Sequence, residues 1–343
     1  MLSDKQIEEI REELDNCKKP LFFFHDDADG LCSFLLLYRQ IREGKGIIVK
    51  SIPKLDEKFA RKAAEYGPDK IFVLDIAMVE QEFIDNAKAP VVWIDHHQPL
   101  ERQNVKYFNP RIAKKSVNAP ATYICYQINK KDMWIAMCGC IGDWFIPDFF
   151  DEFKKRYPDL LNGDAKSPGE VLFTTKLGEL VKIMSFVLKG RTSDAINCVK
   201  IMTRIENPYE ILNKETSRGR YIHKRYEKIN LEYEKLLKEA LETKADDALF
   251  VYSYSGSRMS FTGDIANELL YRIPDKTIVV AREKDDEMRM SLRSNKKLPP
   301  IIEKALEGIE GYGGGHEYAC GACVKKKNFK EFLDRIKRLI LDS

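Results

Sequence analysis

The 343-residue chain predicts an α/β protein. Its N-terminal domain is a parallel sheet with helices on both faces, followed by a helical insertion, a connector helix and a smaller mixed-sheet α/β domain. Three observations carry that expectation. Continuous apolar stretches alternate with helical patterns over the first 110 residues. Clusters of acids and histidines stand where those stretches stop. A second alternation of strand and helix patterns begins near residue 245.

The apolar stretches "PLFFFHD", "GIIVKSI", "KIFVLDI", "APVVWID" and "VKYFNP" read as buried strands. Between them, "LCSFLLLYRQIREG" with Gly44 as a stop and "EKFARKAAEYG" with Gly67 as a stop read as helices. Strands without polar alternation, separated by helices, pair in parallel and are covered on both faces. In such sheets functional side chains collect at the carboxyl ends of the strands. A helix-rich stretch through "MWIAMCGCIGDWF" leads into a less regular insertion at 147–200, within a first domain of 1–200. The connector is assigned to 201–244, where Ile222, Tyr226, Ile229, Tyr233, Leu236 and Ala240 recur in steps of four and three. The remaining residues, 245–343, form the second domain, with strands at "DALFVYSYS", "KTIVVARE", "MRMSLRS" and "CGACVKK".

Composition excludes several classes. Fifty-seven basic residues oppose 54 acidic ones, so no bulk positive field draws a polyanion in, and local patches or cations must hold one. No apolar run approaches the roughly 20 residues that span a bilayer. The start, "MLSDKQIEEIREEL", reads as a charged amphipathic helix capped by Ser3 and Gln6 rather than a signal peptide, and the expectation is a cytoplasmic protein. Eight cysteines then read as free core residues, not disulfides. A zinc site at Cys320 and Cys323 is disfavoured, because strand alternation turns the two thiols to opposite faces.

Four of the five histidines lie in polar motifs. "HDDADG" places His25, Asp27 and Asp29 around a strand-to-helix turn that Gly30 permits. Helix capping explains one such acid, but not the group. Asp75 ends "FVLD", and "WIDHH" ends a strand with Asp95, His96 and His97. Asp143 follows small residues on an apolar helix, where an uncompensated acid is costly. If Asp27, Asp29, Asp75 and Asp143 converge, each pair about 4 Å apart repels by about 4 kcal/mol at an effective dielectric near 20. Two divalent cations bridged by one aspartate balance them, and oxygen ligands with one or two imidazoles suit Mn²⁺ or Mg²⁺. In the second domain, "GYGGGHEY" sets His316 beside Gly314 and Gly315, a backbone that an anion can approach closely. "MSLRSN" supplies Arg293 with Ser291 and Ser294 at a strand end, suited to clamping phosphate.

These motifs, in this order along nearly the whole chain, resemble the DHH phosphoesterase superfamily in its DHH plus DHHA1 form. The H-x-D-A-D-G spelling is similar to that of archaeal RecJ-like single-strand exonucleases. The resemblance implies His25 and Asp27 at one metal, Asp29, His96 and Asp143 at a second, and Asp75 bridging. It also implies that Asp95 orients His96, that His97 faces the scissile phosphate, and that Arg293 and His316 bind phosphate or the terminal nucleotide. The expected activity is release of mononucleotides from single-stranded DNA or RNA by metal-activated water, with Mn²⁺ preferred over Mg²⁺. A cleft between two domains then admits one unpaired strand end. Lys214, Arg218 and Arg225, at helical spacing, extend the contact to phosphates. Near-neutral charge and the lack of a recognisable OB-fold favour an alternative, hydrolysis of short oligoribonucleotides, cyclic dinucleotides or 3′-phosphoadenosine-5′-phosphate. A third reading is an interaction module for a replication or repair helicase. No membrane partner is expected, and a homo-oligomer is compatible with the sequence.

Overall fold

The structure, a computed structural model, describes residues 1–50, 54–114, 117–161, 163–244, 248–256 and 259–342. The chain divides into two compact units, Met1–Tyr226 and Glu227–Ser343.

Among the described residues, seven strands lie in the first unit: β1 (Pro20–His25), β2 (Lys45–Val49), β3 (Lys54–Leu55), β4 (Lys70–Leu74), β5 (Met78–Val79), β6 (Val91–Ile94) and β7 (Val105–Phe108). Five of them make an all-parallel sheet in the order β2-β1-β4-β6-β7, and β3 with β5 forms a separate parallel pair. Each expected strand is present, though the last two residues of "GIIVKSI" lie outside the described residues. Phe22, Phe23, Phe24, Phe72, Val73 and Trp93 are fully buried, which accounts for the unbroken apolar runs. The chain moves from β1 outward to β2 and then crosses to β4 on the other side of β1. A crevice therefore opens at the carboxyl ends of β1 and β4, the topological switch point of the sheet.

Helix Ala28–Ile41 leaves β1 into this crevice, and its first ten residues are buried. It packs against helices Ala121–Asn129 and Met133–Gly142 at very short range. A Cβ on Gly139 would stand 2.2 Å from Thr122 Oγ1, and one on Gly142 would stand 2.7 Å from the Ala28 Cβ. The small residues before Asp143 are thus needed for helix approach. Helices Phe150–Arg156, Pro168–Thr174, Lys176–Phe186 and Thr192–Met202 occupy the region expected to be a helical insertion. The turn after the third of these is tied down by cations. Lys50 Nζ donates to the carbonyls of Leu188 (2.7 Å) and Gly190 (3.1 Å), and Arg225 Nη2 donates to that of Lys189 (2.7 Å).

Helix Ser217–Leu241 runs through the division between the units. It corrects one expectation. Lys214 precedes the helix at φ 58° and cannot share its face, while Arg225 is engaged with the Lys189 carbonyl and Asp194. The three residues do not share one helix face, because a turn separates Lys214 from the helix that carries Arg218 and Arg225.

In the second unit β8 (Leu249–Ser255), β9 (Thr277–Lys284), β10 (Glu287–Arg293), β11 (Gly311–His316) and β12 (Ala319–Lys325) form a sheet ordered β11-β12-β10-β9-β8. Of its strand pairs, β8 with β9 is parallel and the others are antiparallel, so the sheet is mixed. Met288, Met290, Leu292, Cys320, Ala322 and Val324 point to one face, onto helices Leu298–Leu306 and Phe329–Leu341. Helix Thr262–Arg272 packs on the other face, against β9 and β10. Among the described residues, no helix is long and apolar enough to cross a membrane.

Candidate metal centre

Three strand ends and two helix ends meet in the crevice of the first unit. His25 closes β1, and Asp27 caps the helix that follows, accepting from Gly30 N at 2.9 Å. The capping role and a ligand role coexist, because the second carboxylate oxygen of Asp27 lies 2.8 Å from His25 Nδ1. Gly30 is obligatory here: a Cβ would lie 2.4 Å from the His25 carbonyl oxygen and 2.7 Å from its nitrogen. Asp29 sits in the first turn, where its two oxygens accept from Ala121 N (2.9 Å) and Thr122 N (2.7 Å). One buried carboxylate thereby satisfies the start of another helix. Asp75 follows β4 at φ 54°, a left-handed conformation that Asp tolerates better than most residues. Asp143 stands just beyond the end of helix Met133–Gly142 rather than on it.

Asp75 is the hub. Its Oδ2 lies 3.3 Å from His25 Nδ1, while its Oδ1 lies 3.3 Å from His96 Nε2 and 3.8 Å from His97 Nδ1. His96 is also 3.8 Å from Asp29 and 3.6 Å from Asp143. Three sets of side chains accordingly bring their ligand atoms within 4.8 Å of one another: His25 with Asp27 and Asp75, Asp29 with His96 and Asp143, and Asp75 with His96 and His97. All six residues expected as metal ligands fall in these sets.

Asp95 departs from expectation. It holds His97, not His96, through Oδ1 to Nδ1 at 2.7 Å and Oδ2 to the backbone N at 3.1 Å. Adjacent side chains diverge on leaving a strand, so His96 turns to the acids and meets Asn118 Oδ1 at 3.1 Å instead. Tyr107 OH (3.3 Å) and Asn109 Nδ2 (3.4 Å) donate to Asp95, and Asn109 also donates to the His97 carbonyl. Sequence reading missed Asn118, Tyr107 and Asn109. The only signal for Tyr107 and Asn109 was "YFNP" at the end of a strand, and Asn118 gave none.

The electrostatics ask for cations. Burial pushes the Asp29 carboxyl well up, and Asp75 adds to it. Burial pushes Asp75 up too, but the imidazoles of His25 and His96 beside it outweigh burial and hold the group well below the carboxylate range. Burial takes Asp143 up to about 6 despite His96, with Asp75 and Asp27 adding repulsion. Against burial, His25 is held well above its usual value by Asp27, and His96 by Asp143 and Asp75. Asp75 Oδ1 and Asp143 Oδ2 are buried without a hydrogen-bond partner. Orphaned carboxylate oxygens facing imidazoles fit a divalent cation of the Mn²⁺ or Mg²⁺ type.

Cation binding must then displace protons from Asp143, His25 and His96. The expected result is that Mn²⁺ affinity falls as pH drops, by about tenfold per pH unit for each proton displaced, and most steeply below about 6 where Asp143 protonates. Titration of bound Mn²⁺ by electron paramagnetic resonance between about pH 5 and 8 checks this. A constant affinity would exclude these groups as ligands.

Comparison with known proteins bears on the same residues. Residues 21–142 match the DHH family N-terminal domain, and residues 247–342 match the DHHA1 domain. The chain thus joins a DHH-family N-terminal domain to a DHHA1 domain, and it has the DHH-family phosphoesterase fold. No curated protein matches the sequence. Among solved structures it is similar to RecJ in complex with Mn²⁺ from Thermus thermophilus, at TM-score 0.71 and 14% identity, over 100% of this chain but 55% of that one. It is also similar to an exonuclease RecJ bound to manganese, at TM-score 0.61 and 14% identity, covering 99% and 95% of the two chains. A pGpG-specific phosphodiesterase from Vibrio cholerae matches at TM-score 0.50 and 14% identity, over 95% of this chain and 100% of the other. At such identities the likeness is one of fold.

Proposed function

We propose that the protein is a two-metal-dependent phosphodiesterase acting as an exonuclease on single-stranded DNA or RNA. The observation that carries this reading is Asp75, whose two oxygens face separate ligand groups on either side. His25, Asp27 and Asp75 Oδ2 would hold one cation, and Asp75 Oδ1, Asp29, His96 and Asp143 the other. Such a pair neutralises phosphate charge and lowers the pKa of water between them. The protein's own part is positioning. Backbone bonds from Ala121 and Thr122 fix Asp29, and Asn118 fixes His96. Asp95, with Tyr107 and Asn109 behind it, presents His97 to the scissile phosphate. Burial opposes a charge on His97, but Asp95 holds its pKa above the ordinary value, so a charged donor meets the phosphate. In the second unit Arg293, Ser291, His316 and the backbone of Gly314 and Gly315 take the phosphate of the terminal nucleotide. Similar RecJ structures hold Mn²⁺, and one holds Mg²⁺, which supports a divalent ion of this type as the working ion.

The second reading, a hydrolase of dinucleotides or other short substrates, is favoured by the likeness to the pGpG-specific enzyme and by the near balance of charge. End-labelled single strands of graded length, supplied with Mn²⁺, Mg²⁺ or EDTA, separate the two. An exonuclease is expected to release mononucleotides from one end only, to slow on strands shorter than roughly six nucleotides as groove contacts are lost, and to stop in EDTA. A rate that is highest on dinucleotides would replace it with the short-substrate enzyme.

A further inference from the structure

The second unit contains more of a nucleotide site than the residues so far assigned. Strand register places three rows of side chains on the sheet face opposite Met290 and Leu292. The first row is His316, Ala319 and Arg293, the second is Gly314, Gly321 and Ser291, and the third is Tyr312, Cys323 and Arg289. Helix Thr262–Arg272 covers the β10 side of this face: Asn267 Oδ1 accepts from Arg293 Nε, and Thr262 Oγ1 accepts from Ser291 Oγ at 2.9 Å. Gly314 and Gly321 are exposed, and a Cβ on Gly314 would meet nothing within 4 Å. The result is a shelf with a backbone floor, walled on one long side by the helix.

Its two ends differ in chemistry. Arg293 is bonded to neutral acceptors, Asn267 Oδ1 and the carbonyls of Leu292 (2.9 Å) and Cys320 (3.5 Å), and among the described residues no carboxylate forms an ion pair with it. That end suits phosphate. Arg289 is instead paired with Glu287 at 3.0 Å, and in the same row Tyr312 stands 55% exposed. A large exposed ring beside a neutralised guanidinium does not attract an anion. It offers a flat surface for stacking, and nucleobases gain from such platforms whatever their sequence. The end rows are four residues apart, about 13 Å at strand spacing, a span that one nucleotide bridges from phosphate to base.

We infer that this face is a nucleotide shelf in which Tyr312 stacks on a nucleobase while Arg293 holds its phosphate. The role of Arg293 rests on the reading of the protein as a phosphodiesterase. Tyr312 then makes the site selective for nucleic acid over base-free phosphate chains.

The test compares the full-length wild type with Tyr312→Ala and Tyr312→Phe. Two measurements are made: hydrolysis of a single strand of about ten nucleotides in Mn²⁺, and binding of the same fluorescein-labelled strand in EDTA. The expected result is a KM and a Kd about tenfold higher for Tyr312→Ala, with kcat little changed and with Tyr312→Phe restoring the wild-type values. An abasic residue at one position of the strand should cost the wild type the same factor and cost Tyr312→Ala nothing more. Wild-type KM and Kd in Tyr312→Ala, or equal losses in Tyr312→Phe, would overturn the stacking role. Weakened binding by Tyr312→Ala in a wild type that hydrolyses no strand would keep the shelf and overturn the nuclease.

Discussion

Asp75→Ala is expected to lower metal-dependent hydrolysis at least about a thousandfold while leaving the fold intact. The substitution removes the carboxylate whose two oxygens reach both ligand groups, at 3.3 Å on each side. Several kcal/mol of transition-state charge stabilisation goes with it, and each step of about 1.4 kcal/mol is a factor of ten in rate. The fold should tolerate the change, because it opens only a small cavity and keeps the backbone bond from Asp75 N to the Ile94 carbonyl. Circular dichroism and thermal melting check the fold, and metal titration should find two Mn²⁺ reduced to one or none. Hydrolysis within about tenfold of wild type would exclude the two-metal arrangement. Full partner binding and biological complementation by the inactive variant would instead favour an interaction module whose catalysis is incidental.

The second large effect is expected from a single methyl group. Gly30→Ala would set its Cβ 2.4 to 2.9 Å from the oxygen, nitrogen and carbonyl carbon of His25. These are backbone atoms of a buried strand end, so no rotamer change relieves the clash and the turn must open. The cost should be about 2–3 kcal/mol, at the upper end of overpacking, read by denaturant unfolding. Because the turn carries His25 and Asp27, Mn²⁺ binding at that group should weaken at least about tenfold, with the Asp29, His96 and Asp143 group less affected. A variant with wild-type stability and two equivalent ions would show that the turn is not set by this approach.

How much of this was legible follows from what each feature depends on. Unbroken apolar strands between helices have few solutions, so the parallel sheet and the gathering of His25, Asp75 and Asp95 at its carboxyl edge could be read directly. Asp143 was legible as an expensive acid after small residues. The partner of Asp95 was not, since which of two adjacent histidines turns toward it is decided by the direction of the chain leaving β6 and by Tyr107 and Asn109. Asn118 gave no signal, because a single amide in a loop has no period. The strand Gly311–His316 was hidden for another reason. Glycine is poor in strands, and its pairing with β12 comes from the neighbour rather than from its own residues.

The turn at 188–190 has a consequence for how such a protein can change. Its path is held by main-chain oxygens gripped by Lys50 and Arg225, and every amino acid supplies the same oxygens. Leu188 is fully buried and Gly190 stands at φ 83°, so the identity of those two residues is bound to the fold as well. Position 189 between them is where a substitution alters the chemistry of the turn while its course stays put.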